Sequence, residues 1–110
     1  MIRFERWRFL IQQCGSESEL QRLMKEYVNT WLPSDLEKLP APCRDLSCES
    51  ADDLLALALH LTTCELKFDG DEGSREILQE VTRTFVAAAI RVGQLRPGPL
   101  QATSRSEDGT

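Results

Sequence analysis

The sequence predicts an all-α fold: a four-helix bundle-like domain with a proline-containing crossover loop between its second and third principal helices. Three observations carry that expectation. Ser16 with Glu19, Ser34 with Glu37 and Ser50 with Asp53 each set a hydroxyl three residues before a carboxylate. At that spacing the two side chains can cap the free N–H groups of a helix's first turn. Apolar residues recur at the helical period in four segments, at roughly 2–14, 17–32, 51–68 and 72–94, with one short helical turn near 35–39. No segment alternates apolar and polar residues as a half-buried strand would.

The first segment, MIRFERWRFLIQQC, turns Phe4, Trp7, Leu10, Ile11 and Cys14 to one side, while Ile2 and Phe9 point elsewhere. Gly15 closes it. In the second, Leu20, Leu23, Met24, Tyr27, Val28, Trp31 and Leu32 oppose Glu19, Arg22, Lys25, Glu26 and Asn29, the pattern of a helix packed on one side. Pro33 is expected to stop that helix after Leu32, and Pro40 and Pro42 keep the stretch to Glu49 from forming one helix.

In the third segment Leu54, Leu55, Leu57, Ala58, Leu59, Leu61 and Phe68 cover more than half the circumference, so this helix is expected to be the central one. FDGDEGS separates it from the fourth, whose first half carries the stripe Ile77, Leu78, Val81 and Phe85. Farther along, in FVAAAIRV, Val86 and Ile90 emerge on the opposite side. A single helical domain is expected over 1–95, and 96–110, RPGPLQATSRSEDGT, reads as a disordered tail because it has almost nothing to bury.

A chain of 110 residues that is 41% hydrophobic can bury a core without disulfides or metal. Its 13 basic and 18 acidic residues leave a net charge of −5, which disfavours binding to a phosphate backbone. The basic, aromatic start RFERWRF is a weak nucleic-acid candidate through Arg3, Arg6 and Arg8, but those arginines are also the polar remainder of an amphipathic helix. Arg3, Glu5, Arg6 and Arg8 interrupt the first apolar residues, so neither a signal-peptide core nor a membrane span is expected. A cytoplasmic protein with reduced cysteines follows as the expectation.

The stretch CRDLSCESADDLLALALHLTTC contains the one candidate metal set, Cys43, Cys48, His60 and Cys64. His60 and Cys64 are four residues apart on one helix and can reach one ion, and two cysteines precede them on a loop. Against zinc, four residues separate Cys43 from Cys48, looser than a tight knuckle, and the chain has enough apolar material to fold without a metal. The ordinary reading makes Cys64 a core residue, Cys43 and Cys48 loop thiols, and His60 a solvated side chain.

DGDEGSREILQE matches an EF-hand loop at Asp69, Asp71 and Glu80, but Gly73 and Ser74 stand where a side-chain oxygen and a glycine are needed. Asp71 is better read as a helix cap. Glu65 falls within an apolar arc, where Arg83 or Arg91 could pair with it. With one histidine, no Gly-rich phosphate loop and no nucleophile motif, an enzyme is not expected.

The functional expectation is therefore a small interaction or regulatory protein without catalysis. Two terminal helices with a second apolar face suit a homo-oligomer or a helical protein partner, with an interface including Ile2, Phe9, Val86 and Ile90. The competing explanation for those faces is that the Pro33–Glu49 stretch covers them. The alternative function, from a different class, is a zinc-binding helical module; otherwise no cofactor is expected.

Overall fold

In a computed structural model of the protein, residues 2–96 are described, with side chains from Arg6 onward. The described chain is all helical, with five α-helices: α1 Ile2–Gln13, α2 Glu17–Thr30, α3 Pro33–Leu36, α4 Ala51–Leu66 and α5 Glu72–Leu95. A 3₁₀ turn, Ala41–Cys43, lies between α3 and α4. Of the tail expected over 96–110, residues 97–110 lie outside the described residues.

Local hydrogen bonds explain where the long helices begin. The Glu19 amide donates to Ser16 Oγ (3.1 Å) at the start of α2, while the Gly15 amide donates to Glu19 Oε1 (3.0 Å). At α4 the capping box is reciprocal: Asp53 N–H donates to Ser50 Oγ, and Ser50 N–H donates to Asp53 Oδ2. Asp71 caps α5 by accepting from the Ser74 amide (3.0 Å) and hydroxyl (2.9 Å).

The Ser34–Glu37 signal fails. Leu32 is the cap of α3 and Ser34 lies inside it, because Pro33 occupies the first turn, where its missing N–H costs nothing and its fixed φ suits a helix. Pro33 thus starts a helix as well as following the end of another. The short helical turn begins two residues earlier than the sequence suggests.

Long-range polar contacts define how the helices run. Arg8 meets Glu80 at 3.2 Å and Arg91 holds the Cys14 carbonyl, so α1 runs parallel to α5. Arg96, at the end of α5, reaches Glu17 (2.6 Å) and Asp52 (3.0 Å), so α2 and α4 both begin there and run antiparallel to it. Arg96, grouped with the tail in the sequence reading, therefore links the first turns of two helices. Those turns carry Glu17 and Glu19 on α2 and Asp52 and Asp53 on α4, acids that suit the positive ends of the two helix dipoles.

The hub of the packing is α5, which touches α1, α2 and α4. Leu78, Val81, Phe85, Ala88 and Val92 on α5 are fully buried, with Ser74, Thr82 and Thr84 beside them. This corrects the expectation that the helix at 51–68 is central. α4 buries Ala51, Leu54, Ala58 and Leu61 on one side but leaves Leu55, Leu59 and Leu66 exposed on another.

Tyr27 of α2 sits among three rings, with centroids 5.7 Å from Trp7, 6.2 Å from Trp31 and 6.4 Å from Phe85, all edge-on. The segment between α2 and α4 contributes Leu39, Cys43, Leu46 and Cys48 to the same core. Among the described residues, no helix is long and apolar enough to cross a membrane.

Candidate metal and redox centre

Cys43 is delivered by the 3₁₀ turn. Pro40 and Pro42 restrict the backbone there, the Cys43 amide donates to the Pro40 carbonyl (2.8 Å), and Arg44 Nε donates to the Leu39 carbonyl (2.8 Å). The turn packs on α4, which brings His60 and Cys64. One helical turn apart, these two place His60 Nε2 and Cys64 Sγ 3.8 Å from each other. His60 Nε2 also lies 2.8 Å from the Pro42 carbonyl oxygen. A carbonyl cannot donate, so this nitrogen carries the ring proton in that arrangement.

The ligand atoms of Cys43, His60 and Cys64 all lie within 4.8 Å of one another. Cys43 and Cys64 are joined as a disulfide, with Cα atoms 7.1 Å apart. For these two residues the pairing replaces the expectation of reduced thiols. Cys43 is buried, Cys64 half-buried and His60 exposed.

A groove of about 690 Å³ runs past this cluster; His60 and Cys64 line it, with Lys38, Arg44, Lys67 and Asp69.

Cys48, the fourth residue of the expected set, is not in the cluster. It is buried in the core as a free thiol, and Cys14 is the other free thiol among the described residues. Burial pushes both thiols above the ordinary cysteine range; Glu19 adds to the shift at Cys14 and Arg91 opposes it. Both are therefore held more firmly as thiols than an exposed cysteine, which disfavours nucleophilic attack.

The other singled-out residues divide as follows. Phe9 and Ile90 are 59% and 58% exposed, whereas Val86 is half-buried against the core. The side chain of Ile2 lies outside the described residues, as do those of Arg3 and Phe4. Glu65 is half-buried, and neither arginine suggested for it is directed there: Arg83 pairs with Glu80 at 4.0 Å and Arg91 with the Cys14 carbonyl. The calcium reading also loses Glu80, which pairs with Arg8, and Asp71, whose oxygens cap α5.

The sequence reading missed the exposed leucines of α4. Leu55, Leu59 and Leu66 lie within about 40° of one another at the helical repeat of about 100° per residue, and Leu59 and Leu66 are 71% and 83% exposed. The signal was present, since apolar residues around most of a helix fit two faces as well as one enclosed position.

No protein family, no curated protein and no solved structure matches the chain.

Proposed function

We propose that this protein is a non-catalytic helical interaction protein that assembles with a second copy of itself, using the leucine ridge of α4 together with Phe9 and Ile90. The observation that carries this reading is the ridge. Leu55, Leu59 and Leu66 project from one side of a helix whose other side already serves the core. Across a two-fold axis, the commonest symmetry of soluble assemblies, such a face would meet the same face of a second copy. The reading takes the four long helices as a bundle, in which residues 31–50 cross from the end of α2 back to the start of α4.

Native mass spectrometry of the untagged chain tests the assembly. A dimer or higher oligomer at micromolar concentration is the expected result. A chain that stays monomeric up to about 100 μM, well above the range of stable specific complexes, removes the self-association.

A second reading rests on the cluster of Cys43, His60 and Cys64. In their reduced state these residues offer zinc two thiolates and an imidazole, with the fourth position left to water, as in open zinc sites. Zinc titration of the reduced chain tests it: one equivalent bound supports the site, and no uptake removes it.

A further inference from the structure

We propose that Cys43, His60 and Cys64 form a redox-gated zinc site, in which the Cys43–Cys64 disulfide is the closed, metal-free state and the dithiol is the metal-binding state. The proposal rests on the zinc reading of this cluster and adds what controls it. Its starting point is that the same two sulfurs can serve either as partners of each other or as ligands, never both at once.

The geometry suits both states. A tetrahedral zinc with bonds of about 2.3 Å to sulfur and about 2.1 Å to nitrogen holds neighbouring S and N ligand atoms about 3.6 Å apart. His60 Nε2 and Cys64 Sγ already stand 3.8 Å apart, held there by one turn of α4. The third ligand comes from the separate 3₁₀ turn, so an ion would tie that turn to α4 as the disulfide does. The Cα separation of 7.1 Å lies just beyond the usual disulfide span of about 4.4–6.8 Å, and two thiolates sharing an ion of that bond length span it without drawing the backbones together.

Opening begins at Cys64. This residue lines the groove and is half-buried, whereas Cys43 is buried and does not line it. A small dithiol reductant entering the groove attacks Cys64 Sγ as its thiolate and expels Cys43 as the leaving thiolate. Its second thiol then resolves the mixed disulfide. Two electrons and two protons pass to the protein, leaving two cysteine thiols and a cyclic disulfide of the reductant.

Zinc then displaces both thiol protons to solvent and forms two Zn–S bonds. The His60 proton moves through solvent from Nε2 to Nδ1, which frees the Nε2 lone pair and gives up the hydrogen bond to the Pro42 carbonyl. The divalent ion and two thiolates sum to zero charge, so no further carboxylate is needed. In the reverse direction a small-molecule disulfide accepts two electrons from the zinc-bound thiolates; Cys43 and Cys64 pair again, zinc leaves, and two thiols of the oxidant form with two protons from water.

The test uses the full chain, prepared reduced and oxidised, with one equivalent of Zn²⁺ added and native mass spectrometry as the readout. The expected result is one zinc on the reduced chain and none on the oxidised chain, which is lighter by two hydrogens. A small disulfide oxidant should then release zinc from the loaded chain and restore the Cys43–Cys64 link, identified by peptide mapping. His60→Ala, an exposed substitution that leaves the core intact, should weaken zinc binding by about 10-fold or more while leaving the disulfide able to form. Cys48→Ser should change neither zinc uptake nor release.

Absence of zinc on the reduced chain overturns both the metal reading and the gate. Equal zinc on both forms leaves metal binding in place and overturns the gate, as does oxidation that pairs other cysteines or fails to release the ion. Loss of zinc uptake in Cys48→Ser moves the site away from the cluster and also overturns the gate.

Discussion

Arg91 of α5 directs Nε and Nη2 to the carbonyl oxygen of Cys14 at 3.0 and 2.8 Å, joining two points 77 residues apart in the chain. That carbonyl lies just past the end of α1, where helix carbonyls lack partners and the dipole is negative. A guanidinium satisfies both requirements. Replacing Arg91 by alanine should cost about 1.5–3 kcal/mol, the range for a hydrogen bond with a charged donor, measured by urea unfolding. Arg91→Lys should recover part of that loss, because it keeps the charge but not the two-donor fork. Equal stability of Arg91→Ala and the parent would show that the contact contributes nothing.

Leu59 and Leu61 are two residues apart on α4, yet one is 71% exposed and the other fully buried. Leu61→Ala should destabilise the protomer by about 2–5 kcal/mol through lost burial and a residual cavity. Leu59→Ala should stay within about 0.5 kcal/mol for the protomer itself. Unfolding curves at concentrations too low for assembly make the comparison. Similar costs at the two positions would mean that the orientation of α4 described here is wrong.

Assembly can be dissected with serine substitutions at exposed positions. Leu59→Ser with Leu66→Ser, and separately Phe9→Ser with Ile90→Ser, should each shift the oligomer towards monomer in light scattering while circular dichroism stays unchanged. A pair whose replacement leaves the molar mass unaltered lies outside the interface. Val86 is a poor choice for this experiment, since it packs partly against the core and its loss would also affect folding.

Acid sensitivity should arise in part from Asp71. The Ser74 amide, and then its hydroxyl, hold this carboxyl below the ordinary aspartate value. The sign follows from a folded-state value lower than the unfolded one: the stabilisation is fully present above the unfolded value and is lost as pH falls through the folded one, from about pH 4 downward. Asp71→Asn keeps a cap acceptor but cannot titrate. Its unfolding midpoint should fall less steeply than the parent's between about pH 5 and pH 2, with Asp45, lowered by Ser47, supplying a remaining slope in the same window. Parallel curves for the two proteins would remove Asp71 as a source of acid sensitivity.

Helix positions were legible in the sequence wherever a short-range hydrogen bond defines them. Ser16, Ser50 and Asp71 act within three residues of their partners, and all three cap where the spacing indicates. Ser34 shows the limit of that reasoning, because the neighbouring Pro33 imposes the helix start by its own backbone geometry. The candidate site was legible in part. The helical spacing of His60 and Cys64 already places them together, and Cys43 on the preceding segment was among the residues singled out.

The sequence by itself determined that the chain is helical, where its long helices lie and which of their arcs are apolar, since caps and periodicity act over one or two turns. Only the tertiary structure decided which apolar arc finds neighbours. It made α5 the hub, with α1, α2 and α4 around it, and left Leu55, Leu59 and Leu66 on the surface. It also brought Cys43 to Cys64 while burying Cys48 elsewhere in the core. The reason is that both choices depend on the path of the segment between α2 and α4, which is set by the burial of Leu39, Cys43, Leu46 and Cys48 and by no spacing along the chain.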